Sequence, residues 1–135
     1  MIVSAAGVRN ARDMERVLTE FAEEPDRGLI VTPSPLTATR RAEIIELAAH
    51  LRLPAIYPFR FYATSGGLIS YGIDQTELVR EAASYVDRIL RGASPADLPV
   101  QLSTKYQLVI NMKTASAPGL NVPNSRQLLA DEVIE

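Results

Sequence analysis

Cysteine is absent from the 135 residues, which excludes disulfides, thiolate nucleophiles and cysteine metal sites. That absence assigns no redox compartment, because exported proteins also do without cysteine. An excess of charge is lacking too: 14 Lys and Arg meet 16 Asp and Glu for a net −2, with no basic stripe or acidic tail. Nucleic acid and anionic membrane are therefore not expected as partners. No apolar run approaches the roughly 20 residues that cross a bilayer, and clusters such as Leu29-Ile30-Val31 are only strand-sized. Nor does a basic segment followed by an apolar run of signal-peptide length open the sequence, since Arg9, Arg12 and Arg16 follow a short apolar start. Histidine occurs once, as His50 near a predicted helix end, where exposed carbonyls favour a cation. With no serine motif or ligand cluster around it, a solvated helix-end role is expected rather than catalysis. Glu23-Glu24 and Asp131-Glu132 lack the spacing of a calcium loop, so neither a metal nor a cofactor is expected.

What is present is an alternation of strand and helix signals. Residues 2–8 read as a weak strand, and Asn10 caps a helix with Met14, Val17, Leu18 and Phe21 at helical spacing. Pro25-Asp26-Arg27-Gly28 ends it, and residues 29–32 form a continuous apolar run of the kind buried on both faces of a parallel sheet. Thr37 is the expected cap of a second helix over residues 38–51, with Ile44, Ile45, Leu47, Ala48 and Leu51 on its apolar face. Further strands are expected at residues 55–57 and 68–71, around a short helix at 59–64. Asp74 and Glu77 have capping-box spacing ahead of a helix over residues 75–91 that Gly92 stops. Residues 106–111 are the last expected strand, followed by short helices at 112–117 and 125–129. The expectation is one α/β domain over residues 1–135: a mainly parallel sheet flanked by helices in three layers.

Gly66-Gly67 with Gly72 matches neither the dinucleotide fingerprint nor the P-loop, so these glycines are read as turn geometry. Open parallel sheets take ligands outside the carboxyl ends of their strands. Thr32, Pro33, Ser34, Pro35, Tyr57, Ser70 and Tyr71 fall at predicted strand ends and are the candidate ligand contacts. The competing reading for Tyr57 and Tyr71 is packing between elements. Arg80, Ser84 and Arg88 form a solvated polar stripe opposite the apolar side of their helix, and Asn111 suits a backbone-bonding role at a strand-to-helix turn.

The segment Gly66-Gly67-Leu68-Ile69-Ser70-Tyr71-Gly72, the helix through Arg91-Gly92, Pro95-Ala96-Asp97-Leu98-Pro99-Val100, Leu108-Val109-Ile110-Asn111 and Ala130-Asp131-Glu132-Val133-Ile134-Glu135 follow one another in a distinctive order. In this the chain resembles the C-terminal half of ABC-importer substrate-binding proteins related to tryptophan and tyrosine binders. The resemblance implies one lobe of a type I periplasmic-binding fold, related to flavodoxin-like and Rossmann-like sheets. It also implies a periplasmic location, an ABC permease partner, a first lobe missing here, and a small organic solute such as an aromatic amino acid held between the lobes. It further implies that the helix over residues 75–91 packs on the first lobe. Leu78, Ala82, Tyr85, Val86 and Ile89 would then have to fold back on the sheet, or meet a second copy in a homodimer that exchanges this helix. Two departures stand out. Thr32-Pro33-Ser34-Pro35 occupies the place where tryptophan-binding relatives carry an acidic or amide residue. Ala117-Pro118-Gly119 places proline where the family has leucine, which should shorten the helix there.

The function expected is therefore non-catalytic solute binding. The alternative is a stand-alone dimeric regulatory or interaction domain from a truncated gene product. A doubly wound enzyme ranks third, on fold analogy alone.

Overall fold

The computed structural model describes residues 2–116 and 122–135. Five strands form one sheet in sequence order, β1 (Leu29–Ile30), β2 (Ala55–Tyr57), β3 (Ile69–Ile73), β4 (Tyr106–Asn111) and β5 (Glu132–Ile134). β1, β2 and β3 are parallel; β4 runs antiparallel to β3 and parallel to β5. The fold is thus α/β with a mainly parallel sheet, as expected, and β3–β4 is its one antiparallel pairing.

Three helices build the core on one face of the sheet. α1 (Ala11–Ala22) starts where the Asn10 side chain accepts the Asp13 amide at 2.9 Å, and it turns Met14 and Leu18 inward. α3 (Arg41–His50) contributes Ile44, Ile45 and Ala48, and α4 (Arg60–Thr64) contributes Tyr62. These side chains pack with Val31, Ala55 and Tyr57 in a single cluster. Each apolar side chain fully buried this way contributes roughly 1.5–3 kcal/mol. α4 is held to the far sheet edge by Arg60, whose Nε and Nη2 both bond the Glu132 carboxylate at 2.7 Å. The carboxylate raises the Arg60 pKa through that bond. The pair is half exposed, so it is worth about 1 kcal/mol at most.

Four expectations change. Residues 2–9 take no regular structure. The second helix divides at Arg40: Ser34, not Thr37, caps α2 (Pro35–Thr39), and Thr37 completes the box by accepting from the Ser34 amide at 3.0 Å. β5 is an additional strand; its pairing with β4 is long-range, and three residues are too few to announce it locally. The run at 29–32 is not buried on both faces, because Ile30 is 65% exposed. The proline-altered turn at Ala117-Pro118-Gly119 lies outside the described residues.

α5 (Gln75–Leu90) begins as expected at Asp74, whose side chain accepts from Thr76 and Glu77 amides at 3.0 and 3.2 Å. The Glu77 amide, helped by Thr76 and Lys105, lowers the Asp74 pKa. Glu77 does not return the bond to Asp74; it pairs with Arg80 instead. α5 has no buried residue, and Leu78, Val79, Val86, Ile89 and Leu90 are all exposed. Its ties to the rest of the chain include the Tyr85 hydroxyl, which donates to the Pro99 carbonyl, and Lys105, which pairs with Asp74 and Glu77 at the start of the helix. The helix does not fold back onto the sheet.

Candidate functional site

The carboxyl ends of β1, β2 and β3 set a rim from three segments. After β1 the chain passes through Thr32 and Pro33, both exposed, into the Ser34 cap of α2. The Ser34 hydroxyl already accepts the Thr37 amide at 3.1 Å, and Thr37 donates to the Thr32 carbonyl at 3.0 Å. This short network fixes the turn that carries Thr32 to Ser34. After β2 comes Pro58, whose carbonyl lies against the backbone of Gly72 in β3: a side-chain carbon at 72 would fall 1.8 Å from that oxygen. The two strand ends are therefore pressed together at the rim, and only glycine permits it.

The seven candidate residues separate into buried and exposed, and those in strands do so by strand face. Side chains alternate along a strand, and the register aligns Tyr57 with Ser70 and Ser70 with Val109. All three point under the helices. Tyr57 is 2% and Ser70 1% exposed, so neither presents a surface to a ligand here. The Tyr57 ring stacks on Tyr62 at 5.1 Å, and burial pushes its hydroxyl pKa up, with Tyr62 adding to the effect. The packing reading thus describes Tyr57. Tyr71 is on the opposite face, 54% exposed and stacked on Tyr106 at 5.6 Å. Thr32, Pro33, Ser34, Pro35 and Tyr71 remain at the surface. Tyr106, missed in the sequence, joins Tyr71 because the antiparallel β3–β4 register sets them diagonally on one face.

Other expectations resolve locally. Asn111 is buried; its amide nitrogen donates to the Ala63 carbonyl at 3.0 Å and its oxygen accepts from the Thr114 amide at 3.2 Å, the turn role read from the sequence. Gly66 has φ +107°, consistent with turn geometry. His50 is exposed at the end of α3 (Arg41–His50). Among the described residues no cluster of His, Asp and Glu is arranged to hold a metal, and no helix is long and apolar enough to cross a membrane. A partly open recess of about 30 Å³ beside Ile45, Tyr57, Gly66 and Thr114 is large enough only for water. An open depression of about 410 Å³ is lined by Ala38, Thr39, Arg41, Phe61 and Ser65 and does not include the rim residues. The rim is a surface with groups for hydrogen bonding at Thr32 and an aromatic face at Tyr71, and among the described residues no wall encloses it.

Comparison with known proteins gives that surface a context. A family model described as ABC transporter substrate binding protein matches residues 1–134. Among solved structures, an ABC domain from Streptococcus pneumonia in complex with L-Trp is similar at 26% identity and TM-score 0.80, covering 91% of this chain and 41% of that one. A conserved domain protein from Vibrio cholerae is similar at 25% identity and TM-score 0.77, covering 90% and 41%. A substrate binding protein with adhesive properties from Clostridium difficile, in its ligand-free open form, shares the fold at 20% identity and TM-score 0.66, covering 96% and 42%. The chain thus spans about two fifths of the length of these structures. No curated protein matches it.

Proposed function

This chain belongs to the ABC transporter substrate binding protein family, and on that premise we propose that it is a solute-binding lobe of an ABC importer. Its part is non-catalytic: it contributes half of a cleft, which closes on a small organic solute only with a second lobe. The observation that carries this reading is α5, a 16-residue helix with an apolar stripe and no buried residue. Such a stripe is costly to leave in water and marks a surface made for another body. Leu78, Ala82, Tyr85, Val86 and Ile89 form that surface by their i, i+4, i+7, i+8 and i+11 spacing.

The L-Trp carried by the pneumococcal neighbour, together with the half-exposed Tyr71–Tyr106 stack, favours a solute with an aromatic group. Tyr71 would offer its face to the ring, and Thr32 and Ser34 would meet the polar end. Tyr57 and Ser70 would act behind the surface. A periplasmic location and a permease partner follow from the same reading. The test is calorimetric titration of L-tryptophan, L-tyrosine and L-phenylalanine into the 135-residue chain, and into the chain joined to a first lobe taken from a protein of the same family. The joined protein is expected to bind one of them at least about 100-fold more tightly, a gain of about 2.7 kcal/mol from the second wall. Equal affinity in both forms would overturn the two-lobe reading.

The bare α5 face also favours a second reading, a stand-alone domain that pairs through this helix. Light scattering distinguishes it: twice the chain mass, returning to one chain mass in Val86→Asp, would identify the homodimer.

A further inference from the structure

Of the three arginines at the starts of α3 and α4, two are neutralised. Arg40 bonds both carboxylate oxygens of Glu43, at 2.8 and 3.0 Å, and Arg60 bonds those of Glu132 at 2.7 Å. Arg41 has no carboxylate partner among the described residues. Its guanidinium is held by neutral groups instead. Nη1 reaches the Ala38 carbonyl at 3.5 Å, the outer limit of a hydrogen bond, and the central carbon lies 5.8 Å from the centre of the Phe61 ring. These contacts place the side chain while leaving most of its donors unspent, so a ligand that uses them meets a group already oriented.

Ala38, Arg41 and Phe61 also line the open depression of about 410 Å³, which Thr39 and Ser65 complete. Its volume falls within the range of small-molecule sites. The Thr39 hydroxyl is spent as a donor on the Pro35 carbonyl at 2.9 Å and retains only its capacity to accept. Ser65 is exposed, with a hydroxyl that can donate. The depression lies on the side of the sheet where α3 and α4 pack, whereas Tyr71 emerges on the opposite face. It is a separate place from the aromatic surface of the rim.

We propose that this depression is a second binding site, for a small organic anion with one carboxylate and an apolar body. The carboxylate takes the planar fork of Arg41, a geometry suited to two parallel charge-assisted bonds, with the Ser65 hydroxyl as a further donor. The apolar body covers Phe61 and Ala38. A zwitterion fits poorly, because its ammonium would stand beside the one charged side chain that lines the depression, and the Glu43 carboxylate two residues away is already held by Arg40. The depression is open, so a ligand stays partly in water and the affinity is modest. This inference stands on the depression alone and does not rest on the solute-binding reading of the rim.

The test follows backbone amide resonances of the 135-residue chain during titration with 3-phenylpropionate at fixed ionic strength. Shifts are expected at Ala38, Thr39, Arg41, Phe61 and Ser65, saturating with a Kd of about 1 mM. L-phenylalanine adds an ammonium to the same skeleton, and acetate removes the apolar body; each should bind there at least about 10-fold more weakly. Arg41→Gln should weaken 3-phenylpropionate at least about 10-fold and leave the urea midpoint unchanged, since Arg41 is exposed. Tyr71→Ala should leave this binding as it is. Equal binding of acetate would reduce the site to a lone surface arginine and overturn the proposal. So would equal binding of L-phenylalanine, undiminished binding in Arg41→Gln, no saturation up to about 20 mM, or shifts centred on Thr32 and Tyr71; the last would assign the anion to the rim.

Discussion

Gly72→Ala is expected to lower the stability of the chain by about 3 kcal/mol, at the upper end of the range for overpacking. The added carbon would lie 1.8 Å from the Pro58 carbonyl oxygen and 2.9 Å from its carbonyl carbon. Both are backbone atoms, so no side-chain rotation relieves the clash. Pro58 follows β2 directly and leads into α4, and Gly72 sits in the ladder with Gln107 of β4. The strand ends must therefore separate, or β3 must shift against β4. Urea denaturation measures the loss as a lower midpoint at unchanged slope. Gly28→Ala serves as the control: its added carbon would meet the Pro54 carbonyl oxygen at 3.5 Å, an ordinary contact. An equal effect at both positions would deny the close approach at the rim.

Tyr62 is expected to give the largest loss of any single truncation, about 4 kcal/mol for Tyr62→Ala. Its ring is wholly buried, stacked on Phe61 at 4.7 Å and Tyr57 at 5.1 Å, and α4 packs against β2, β3 and β4 through this region. Removing it takes away the transfer energy of an aromatic ring and leaves a cavity between helix and sheet. The hydroxyl is a separate matter: it is buried with no hydrogen-bond partner among the described residues. Burying an unpaired hydroxyl costs stability, so Tyr62→Phe should be neutral or stabilise by up to about 1 kcal/mol. The contrast between the two substitutions, read from the same denaturation curves, separates ring packing from hydroxyl chemistry. A loss of 2 kcal/mol or more in Tyr62→Phe would mean that the hydroxyl has a partner.

Much of this architecture was legible because its causes are local. Asn10 and Asp74 each cap a helix, the apolar spacing from Met14 to Leu18 fixes the inward side of α1, and Asn111 closes the turn after β4. Failures arose where a residue's environment depends on distant chain. Tyr57 and Ser70 are both at strand ends in sequence, yet alternation and register turn them under the helices while Tyr71 emerges on the other side. Nothing near Tyr106 announces that it will stack on Tyr71, because the pair depends on an antiparallel strand arriving after a 16-residue helix. Ile30 has the composition of a strand enclosed on both faces; it is exposed because its outer edge and one face are uncovered. Ser34 displaced Thr37 as a cap because Pro35 presets the first helical residue and Thr37 stands at the third position of the box. Strand ends were thus half legible: Thr32, Pro33, Ser34 and Tyr71 are exposed where the sequence puts them, while the inward direction of Tyr57 and Ser70 needed the sheet.

The central claim is that this chain presents half of a solute cleft at the carboxyl ends of its first three strands. It is tested most directly by following backbone amide resonances of the 135-residue chain during titration with L-tryptophan. The account predicts shifts confined to Thr32, Ser34, Tyr71 and their neighbours, without saturation below roughly millimolar solute. Micromolar saturation would contradict a half cleft, and shifts centred elsewhere, such as on the Arg41–Phe61 depression, would contradict the site.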